Sequence, residues 1–415
     1  MMDKLISLVK AFIIYYIYPL YRWLLVYKLR HKDQVNVVFF VMSLSMWRHQ
    51  HLYGALKKLP KFNPIIVILP SCSYTEEQQR SDVEELRRYF NAKGISYVLG
   101  INEDKTIYDV RKNLSPDILF YPQPYSGYYI EELSYNKFYD RLLCYTPYAF
   151  WTSKEQWSYA QMLHKMSWKL FYSTELHRKD AIVYSPVKDR NVEVVGYPNA
   201  DDFLNSNYSD IWKQQNIKKK RIIWASHFTI VSGGYLNQSN FLWMADFMLE
   251  LARKYSDKIQ FVFKPHPRLY TELCKHPEWG VEKANEYYNL WDAMDNTQVE
   301  TGEFVDLFIT SDAMIHDCGS FSVEYHYSEN PVMYVARNFE DQVEDKNDFG
   351  KIAMNLHYVG KDKQDIIDFI ENVVLNGNDS MKPQRQQFKQ DYLLPPNGKT
   401  VAENTVDVLL RELCK

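Results

Sequence analysis

Two segments carry the residues best suited to chemistry. In the first, the apolar run Phe261-Val262-Phe263 ends in Lys264-Pro265-His266-Pro267-Arg268. A buried strand followed by a proline-fixed turn would set two cations and an imidazole side by side. Lys264 and Arg268 can neutralise a pyrophosphate, and His266 can donate a hydrogen bond to a phosphate oxygen or protonate a leaving group. In the second, Ser311-Asp312 is followed by His316-Asp317-Cys318-Gly319-Ser320-Phe321-Ser322-Val323-Glu324-Tyr325, which reads as the end of a strand and the start of a helix. Gly319 lets a ligand approach the backbone closely, and Ser320 and Ser322 add hydroxyls beside the unpaired amides of a helix start, a setting that favours an anion. Glu324, four residues past Ser320, stands where a carboxylate can accept from ribose hydroxyls. Each segment has an ordinary alternative: a strand-ending turn with solvated charges, and a capped helix with a solvated Glu324. A third imidazole, His227, closes Trp224-Ala225-Ser226-His227 and is expected at the same edge as a second diphosphate donor, with Ser232-Gly233-Gly234 able to close over a ligand. A capped loop histidine is its alternative. His276, His326 and His357 have no such placement.

These residues need a scaffold that gathers strand ends. Short β-branched runs alternate with longer helical patterns, the signature of parallel sheets covered by helices. The first series of expected strands is Val35 to Val41, Pro64 to Leu69, Ile95 to Leu99 and Asp117 to Tyr121, with an amphipathic helix over Glu76 to Asn91. Leu142 to Tyr145, Leu170 to Ser173 and Val192 to Val195 extend it. The second series is Arg221 to Ala225, Gln260 to Lys264, Phe308 to Thr310 with Met314 to His316, and Pro331 to Val335. Turn residues and charges between Gly196 and Lys220 mark the boundary. The expected organisation is an interfacial helix over 1–33, a Rossmann-like acceptor-side domain over 34–200, a Rossmann-like donor-binding domain over 201–380, and a C-terminal helical segment over 381–415 free to pack back on the first domain. In open parallel sheets ligands bind beyond the carboxyl ends of the strands, where the chemistry-bearing residues lie.

Composition agrees with a large folded chain: 415 residues, 46% hydrophobic and 24% charged, exclude disorder and coiled coil. A net charge of -3 without a charged tail gives no footprint for nucleic acid. The five cysteines stand apart, without CxxC spacing, which fits a reducing compartment and no structural zinc. The abundant tyrosine and phenylalanine read as core.

Together the two segments resemble the CDP-glycerol glycerophosphotransferase family, the teichoic acid primases and polymerases, through Lys264-Pro265-His266-Pro267 and Ser311-Asp312 with Asp317-Cys318-Gly319-Ser320, then Glu324-Tyr325. Gly196-Tyr197-Pro198-Asn199-Ala200-Asp201 looks like the family's Gly-Tyr-Pro-Arg-x-Asp, with Asn199 for arginine. The likeness runs from about Gly196 to Tyr334. It implies two Rossmann-like domains of the GT-B type, a CDP-activated polyol phosphate donor on the second domain, a lipid-linked or polymer acceptor, and release of CMP. By this resemblance His266 and the amides of Ser320 to Ser322 hold the diphosphate, with His227, Lys264, Arg268, Ser311, Asp312, Asp317, Gly319, Phe321 and Glu324 completing the donor site. Two departures stand out. Gly319 takes the place of the first of two serines, and the first-domain Trp-His-Gly-Thr is absent, Leu142-Leu143-Cys144-Tyr145-Thr146-Pro147-Tyr148 standing instead. The base candidates are then His49 and His51, which follow the first strand, and Tyr145, a poor base at an ordinary tyrosine pKa of about 10. No Asp-x-Asp is placed to chelate a metal, so neither a metal nor another cofactor is expected.

Two rivals share this architecture: a glycosyltransferase using a UDP-sugar or CMP-sialic acid for capsule or surface polysaccharide, and an inactive membrane-tethered scaffold of a surface-polymer assembly complex. The chain opens with apolar and aromatic sequence from Leu5 to Val26, interrupted by Pro19 and Arg22 and followed by Lys28, Arg30, His31 and Lys32. An interfacial helix on the cytoplasmic face of the membrane fits this pattern better than a spanning helix or a cleaved signal. A buried capping helix is the alternative.

Overall fold

The computed structural model describes residues 12–230, 239–302, 304–319 and 321–414. The chain divides into two compact units. The first runs to Trp151, resumes over Glu155–Asp201 and takes back Leu394–Lys415; the second comprises Thr152–Lys154 and Asp202–Leu393.

The first unit is built on seven strands: β1 (Val35–Val41), β2 (Phe62–Ile68), β3 (Tyr97–Leu99), β4 (Ile118–Tyr121), β5 (Leu142–Tyr145), β6 (Lys169–Tyr172) and β7 (Val192–Val194). They pair in parallel in the order β3-β2-β1-β4-β5-β6-β7. β1 is an inner strand buried at every position but Asn36, which is why its other residues are all apolar rather than alternating. Pro64 is tolerated inside β2 because β3 pairs only from Ile66 onward, so no neighbour needs the missing N–H. The helix Glu76–Ala92 follows its expectation and starts on Thr75, whose hydroxyl accepts from the Gln78 amide.

The C-terminal helix Val401–Leu413 belongs to this unit and explains the Gly196 to Asp201 segment. Asp201 accepts from the Val401 and Ala402 amides at 2.7 and 2.9 Å, a carboxylate at a helix start. Gly196 has φ +105°, and a Cβ there would lie 2.9 Å from a Val401 methyl. Thr400 and Glu403 close a reciprocal capping box on the same turn.

The second unit carries β8 (Lys220–Ala225), β9 (Ile259–Phe263), β10 (Thr297–Val299), β11 (Ala313–His316), β12 (Val332–Val335) and β13 (Tyr358–Gly360). The sheet is parallel in the order β10-β9-β8-β11-β12-β13. Strand order reverses between β8 and β11, the point at which such sheets open a crevice. The helix Phe241–Lys254 buries Phe241, Met244, Ala245, Met248, Leu251 and Ala252, one helical stripe. Its Phe241 stacks with Trp224 and Phe263, and Trp291 closes the cluster.

One expectation is corrected, two short edge strands are additional, and the opening helix is described only in part. Phe308 is helical, in Val305–Ile309, not part of a strand; its apolar run packs against Phe304 and Phe321 instead of pairing. The edge strands β10 and β13 have three residues each and left too little apolar sequence to be recognised. The opening helix is followed from Phe12, its earlier residues lying outside those described, and no helix among the described residues is long and apolar enough to cross a membrane.

Candidate active site

The carboxyl ends of β9, β8 and β11 lie side by side in the second unit, and each delivers one part of the site. Beyond β8 come Ser226, His227 and Phe228; beyond β9 come Lys264, Pro265 and His266; beyond β11 come Asp317, Cys318 and Gly319. The ladder continues past the strand ends: the Lys264 amide donates to the Trp224 carbonyl at 2.8 Å, and the His266 amide to the Ser226 carbonyl at 2.9 Å. This register brings the His227 and His266 rings edge to face, 5.3 Å between centroids. Phe228 lies 4.5 Å from each imidazole and carries the Arg268 guanidinium on its face at 4.1 Å.

The hydrogen bonds fix both tautomers. His266 Nδ1 accepts from the Arg268 amide at 3.1 Å, so its proton sits on Nε2. His227 Nδ1 accepts from the Thr229 amide at 3.4 Å and lies 2.9 Å from the Thr229 hydroxyl, which puts its proton on Nε2 as well. Burial, then Arg268, lowers the His227 pKa to about 4; burial, then His227 and Arg268, lowers that of His266 to about 3. Near pH 7 the site therefore holds two neutral N–H donors beside one guanidinium. This set can hydrogen-bond phosphate oxygens. His266 is not poised as a cationic acid.

The other expected residues divide. Glu324 ends the short helix Phe321–Glu324 and is 3% exposed, so it is not the solvated carboxylate of the ordinary alternative. Ser322 is turned inward: its hydroxyl donates to the Gly319 carbonyl at 2.6 Å and closes the turn. Phe321 packs on Phe304 and Phe308. Lys264 is buried and donates to the Gly302 and Glu300 carbonyls at 2.7 and 3.4 Å, holding the turn after β10 from beneath. Ser320 and the Ser232-Gly233-Gly234 loop lie outside the described residues.

Ser311 and Asp312 are not brought to this edge. They precede β11, at the amino ends of the strands, where Asp312 accepts from Lys220 and from the Arg221 amide, both at 2.9 Å, and Ser311 bonds the Tyr325 hydroxyl at 2.7 Å. There they line a polar pocket of about 630 Å³ with Lys218, Lys219 and Arg221. Chain proximity to His316 does not bring them to the site, because a strand carries its two ends to opposite sides of the sheet. In the first unit, His49 packs against Phe39, Trp47 and Phe120, and burial lowers its pKa to about 4, which makes it a weak base. His51 lies in the helix Gln50–Lys57, and Tyr145 is fully buried with its pKa raised by burial. Phe228 and Asn240 escaped sequence reading; a phenylalanine after a buried strand carries no distinguishing mark.

Two parallel-sheet Rossmann-like units define a GT-B-like fold. The sequence profile described as CDP-Glycerol:Poly(glycerophosphate) glycerophosphotransferase matches residues 150–410. The chain belongs to this family, and it is a transferase. The match reaches well beyond the Gly196 to Tyr334 stretch in which the motifs stand. No curated protein matches the sequence. Among solved structures, the wall teichoic acid polymerase TagF is similar with a TM-score of 0.56 at 10% identity, covering 99% of this chain and 96% of its own. The UDP-GlcNAc 2-epimerase of Neisseria meningitidis bound to UDP-GlcNAc is similar with a TM-score of 0.55 at 14% identity, covering 91% of this chain and 100% of its own. That of Methanocaldococcus jannaschii, in complex with UDP-GlcNAc and UDP, gives 0.56 at 13% identity over 91% and 99%. At such identities these likenesses describe the fold.

Proposed function

We propose that the chain transfers a polyol phosphate, glycerol phosphate or similar, from a CDP-activated donor to a hydroxyl of a lipid-linked or cell-surface polymer acceptor. The acceptor oxygen attacks the phosphorus that bears the polyol. A new O–P bond forms, the bond from that phosphorus to the bridging oxygen breaks, CMP leaves with the electron pair, and the hydroxyl proton passes to a base. The observation that carries this reading is the pair of neutral Nε2–H donors beside Arg268, at the strand ends where β11 leads through Gly319 to the short helix that ends in the buried Glu324. The imidazoles and Arg268 stabilise charge growing on the departing phosphate, the large contribution in such transfers. Glu324 accepts from the ribose. Among the described residues no group of three or more histidine, cysteine or acidic side chains is arranged to hold a metal ion. With Arg268 and the two imidazoles as the groups at the phosphates, transfer is expected to survive EDTA, and complete, magnesium-restorable loss would overturn this.

Thermal shift with CDP, UDP and CMP tests the donor, because a ligand that binds only the native state raises the melting temperature. CDP is expected to stabilise most. Stabilisation by UDP alone would move the reading to a sugar transferase; no response to any nucleotide would leave the inactive scaffold. Glu324→Gln should weaken CDP binding by about tenfold, the scale of one charge-assisted hydrogen bond, while competition by inorganic pyrophosphate stays unchanged. Equal losses for both ligands would remove Glu324 from the ribose.

We also propose that the opening helix rests on the cytoplasmic membrane surface. Over Ile13–Arg30 the residues Tyr16, Leu20, Trp23 and Tyr27 are exposed, Trp23 to 62%, at helical spacing on one side, while Val26 and Leu29 are buried. Aromatic rings in such a stripe suit the headgroup level. The basic flank is partly committed within the unit: Arg30 donates to the Glu412 carbonyl and Lys32 pairs with Asp117, leaving Lys28 exposed.

A further inference from the structure

A carboxylate is an unexpected neighbour for a diphosphate, because like charges a few ångströms apart repel. Asp317 nevertheless follows β11 directly, between the two imidazole-bearing strand ends and the Gly319 turn. It is 2% exposed, and both of its oxygens meet backbone amides: Oδ1 accepts from His227 at 2.6 Å and Oδ2 from Asn240 at 2.5 Å. The side chain of Asn240 supports the same charge.

The two amides belong to different elements. His227 follows β8, and Asn240 precedes the helix Phe241–Lys254. Strand order reverses between β8 and β11, and the backbone ladder across that gap ends where the Asp317 amide donates to the Ala225 carbonyl at 3.3 Å. Beyond it the His227 amide has the Asp317 carboxylate in place of a strand partner. A carboxylate accepts two diverging N–H donors at once, which an amide side chain of the same shape does not. A negative charge at the start of a long helix is also favourable. The residue that looks misplaced as a phosphate ligand is well placed as a tie between three elements.

We propose that Asp317 is a positioning residue, whose carboxylate fixes the His227 backbone against the start of the helix Phe241–Lys254 and so holds the His227 ring beside His266 for the donor diphosphate. This rests on the donor-site reading above. Asp317 itself does not touch the nucleotide. Its replacement acts through His227 rather than through a lost ligand contact.

The charge state of Asp317 provides a second handle. Burial pushes its carboxyl up to about 7, against the lowering effect of the Asn240 and His227 amides. The titratable groups around it are His227 after β8, kept neutral by burial, Tyr334 on β12, whose hydroxyl donates to the Asp317 carbonyl at 3.4 Å, and Cys318 beside it, with Lys264 after β9 acting on Cys318. Tyr334 and Cys318 have their pKa raised by burial and stay neutral near pH 7. As pH falls through 7 the carboxylate gains a proton and loses one acceptor, and the His227 amide loses its charged partner.

A double-mutant cycle on the full chain, with CDP as the probe, tests the proposal. Asp317→Asn turns one donor toward an amide donor and should weaken CDP binding by roughly tenfold or more. In a His227→Ala background the same substitution should cost less than about twofold, because the route through His227 is already lost. A full loss in that background would overturn the proposal. With selective 15N-histidine labelling, and His227→Ala to assign the signal, the wild-type His227 amide proton should lie downfield and titrate near pH 7 without nucleotide. A His227 amide without that downfield position would also overturn it, whatever its pH response, and this measurement needs no Asp317 variant to fold. If His227→Ala and His266→Ala both bind CDP normally, the donor-site reading fails, whereas the chemical shift of the His227 amide still decides whether Asp317 holds it.

Discussion

At the residue scale, the candidate site presents neutral hydrogen-bond donors beside one guanidinium. His266 keeps its proton on Nε2 because Nδ1 accepts from the Arg268 amide, and burial with two cationic or imidazole neighbours lowers its pKa to about 3. His266→Ala should fold, since the ring lies beyond the strand end, and transfer should fall about 10²-fold, the scale of losing one preorganised donor to a developing charge. The group is neutral from pH 6 to 8, so kcat/KM should show no limb from His266 in that range. A limb near pH 6.5 that vanishes in His266→Ala would restore an acid role and overturn the neutral-donor reading.

At the element scale, the opening helix is both a surface and part of the core. Lys61 donates to the Leu29 carbonyl at 3.0 Å and the Arg30 carbonyl at 3.2 Å, and Val26 and Leu29 are buried. Removing the whole helix would strip core contacts along with the stripe, so point changes on the exposed face are the better test. Leu20→Ser with Trp23→Ser should release the protein from vesicles containing anionic lipid in a flotation assay, with CDP affinity unchanged. Undiminished flotation of the double variant would remove this helix as the membrane contact.

At the scale of the whole molecule, histidine burial governs acid stability. Eight of the 11 imidazoles are shifted down by burial: to about 4 for His49, His177, His227 and His357, to about 3 for His164 and His266, and well below the ordinary range for His316 and His326. A lowered folded pKa means that the unfolded chain binds more protons between the folded values and about 6.5. Their contribution is complete above about pH 6.5 and is lost as pH falls toward 4. Each such group adds a slope of up to about 1.4 kcal/mol per pH unit, so half of the summed effect over two units, about 11 kcal/mol, is comparable with a typical domain stability of about 5–15 kcal/mol. Asp317, raised to about 7, opposes this with the slope of one group. The melting temperature should drop steeply from pH 6.5 to 5; a flat profile would contradict the burial of these rings as neutral groups.

The sequence by itself determined the parallel two-sheet architecture and the edge that carries the chemistry. Runs such as Val35 to Val41 and Phe261 to Phe263 are apolar because both faces of a central parallel strand are covered, and that requirement is written locally. Lys264-Pro265-His266 and Asp317-Cys318-Gly319 were legible for the same reason, since each follows its strand directly. What only the tertiary structure decided is which partners these residues meet. Ser311 and Asp312 stand close to His316 in the chain but at the other sheet edge, and Lys264 and Ser322 turn inward to backbone carbonyls. Asp317 acquires its role from amides 90 and 77 residues away. Spacing along the chain encodes strand ends, whereas hydrogen-bond partners depend on strand order, and the reversal between β8 and β11 arises only when the sheet is assembled.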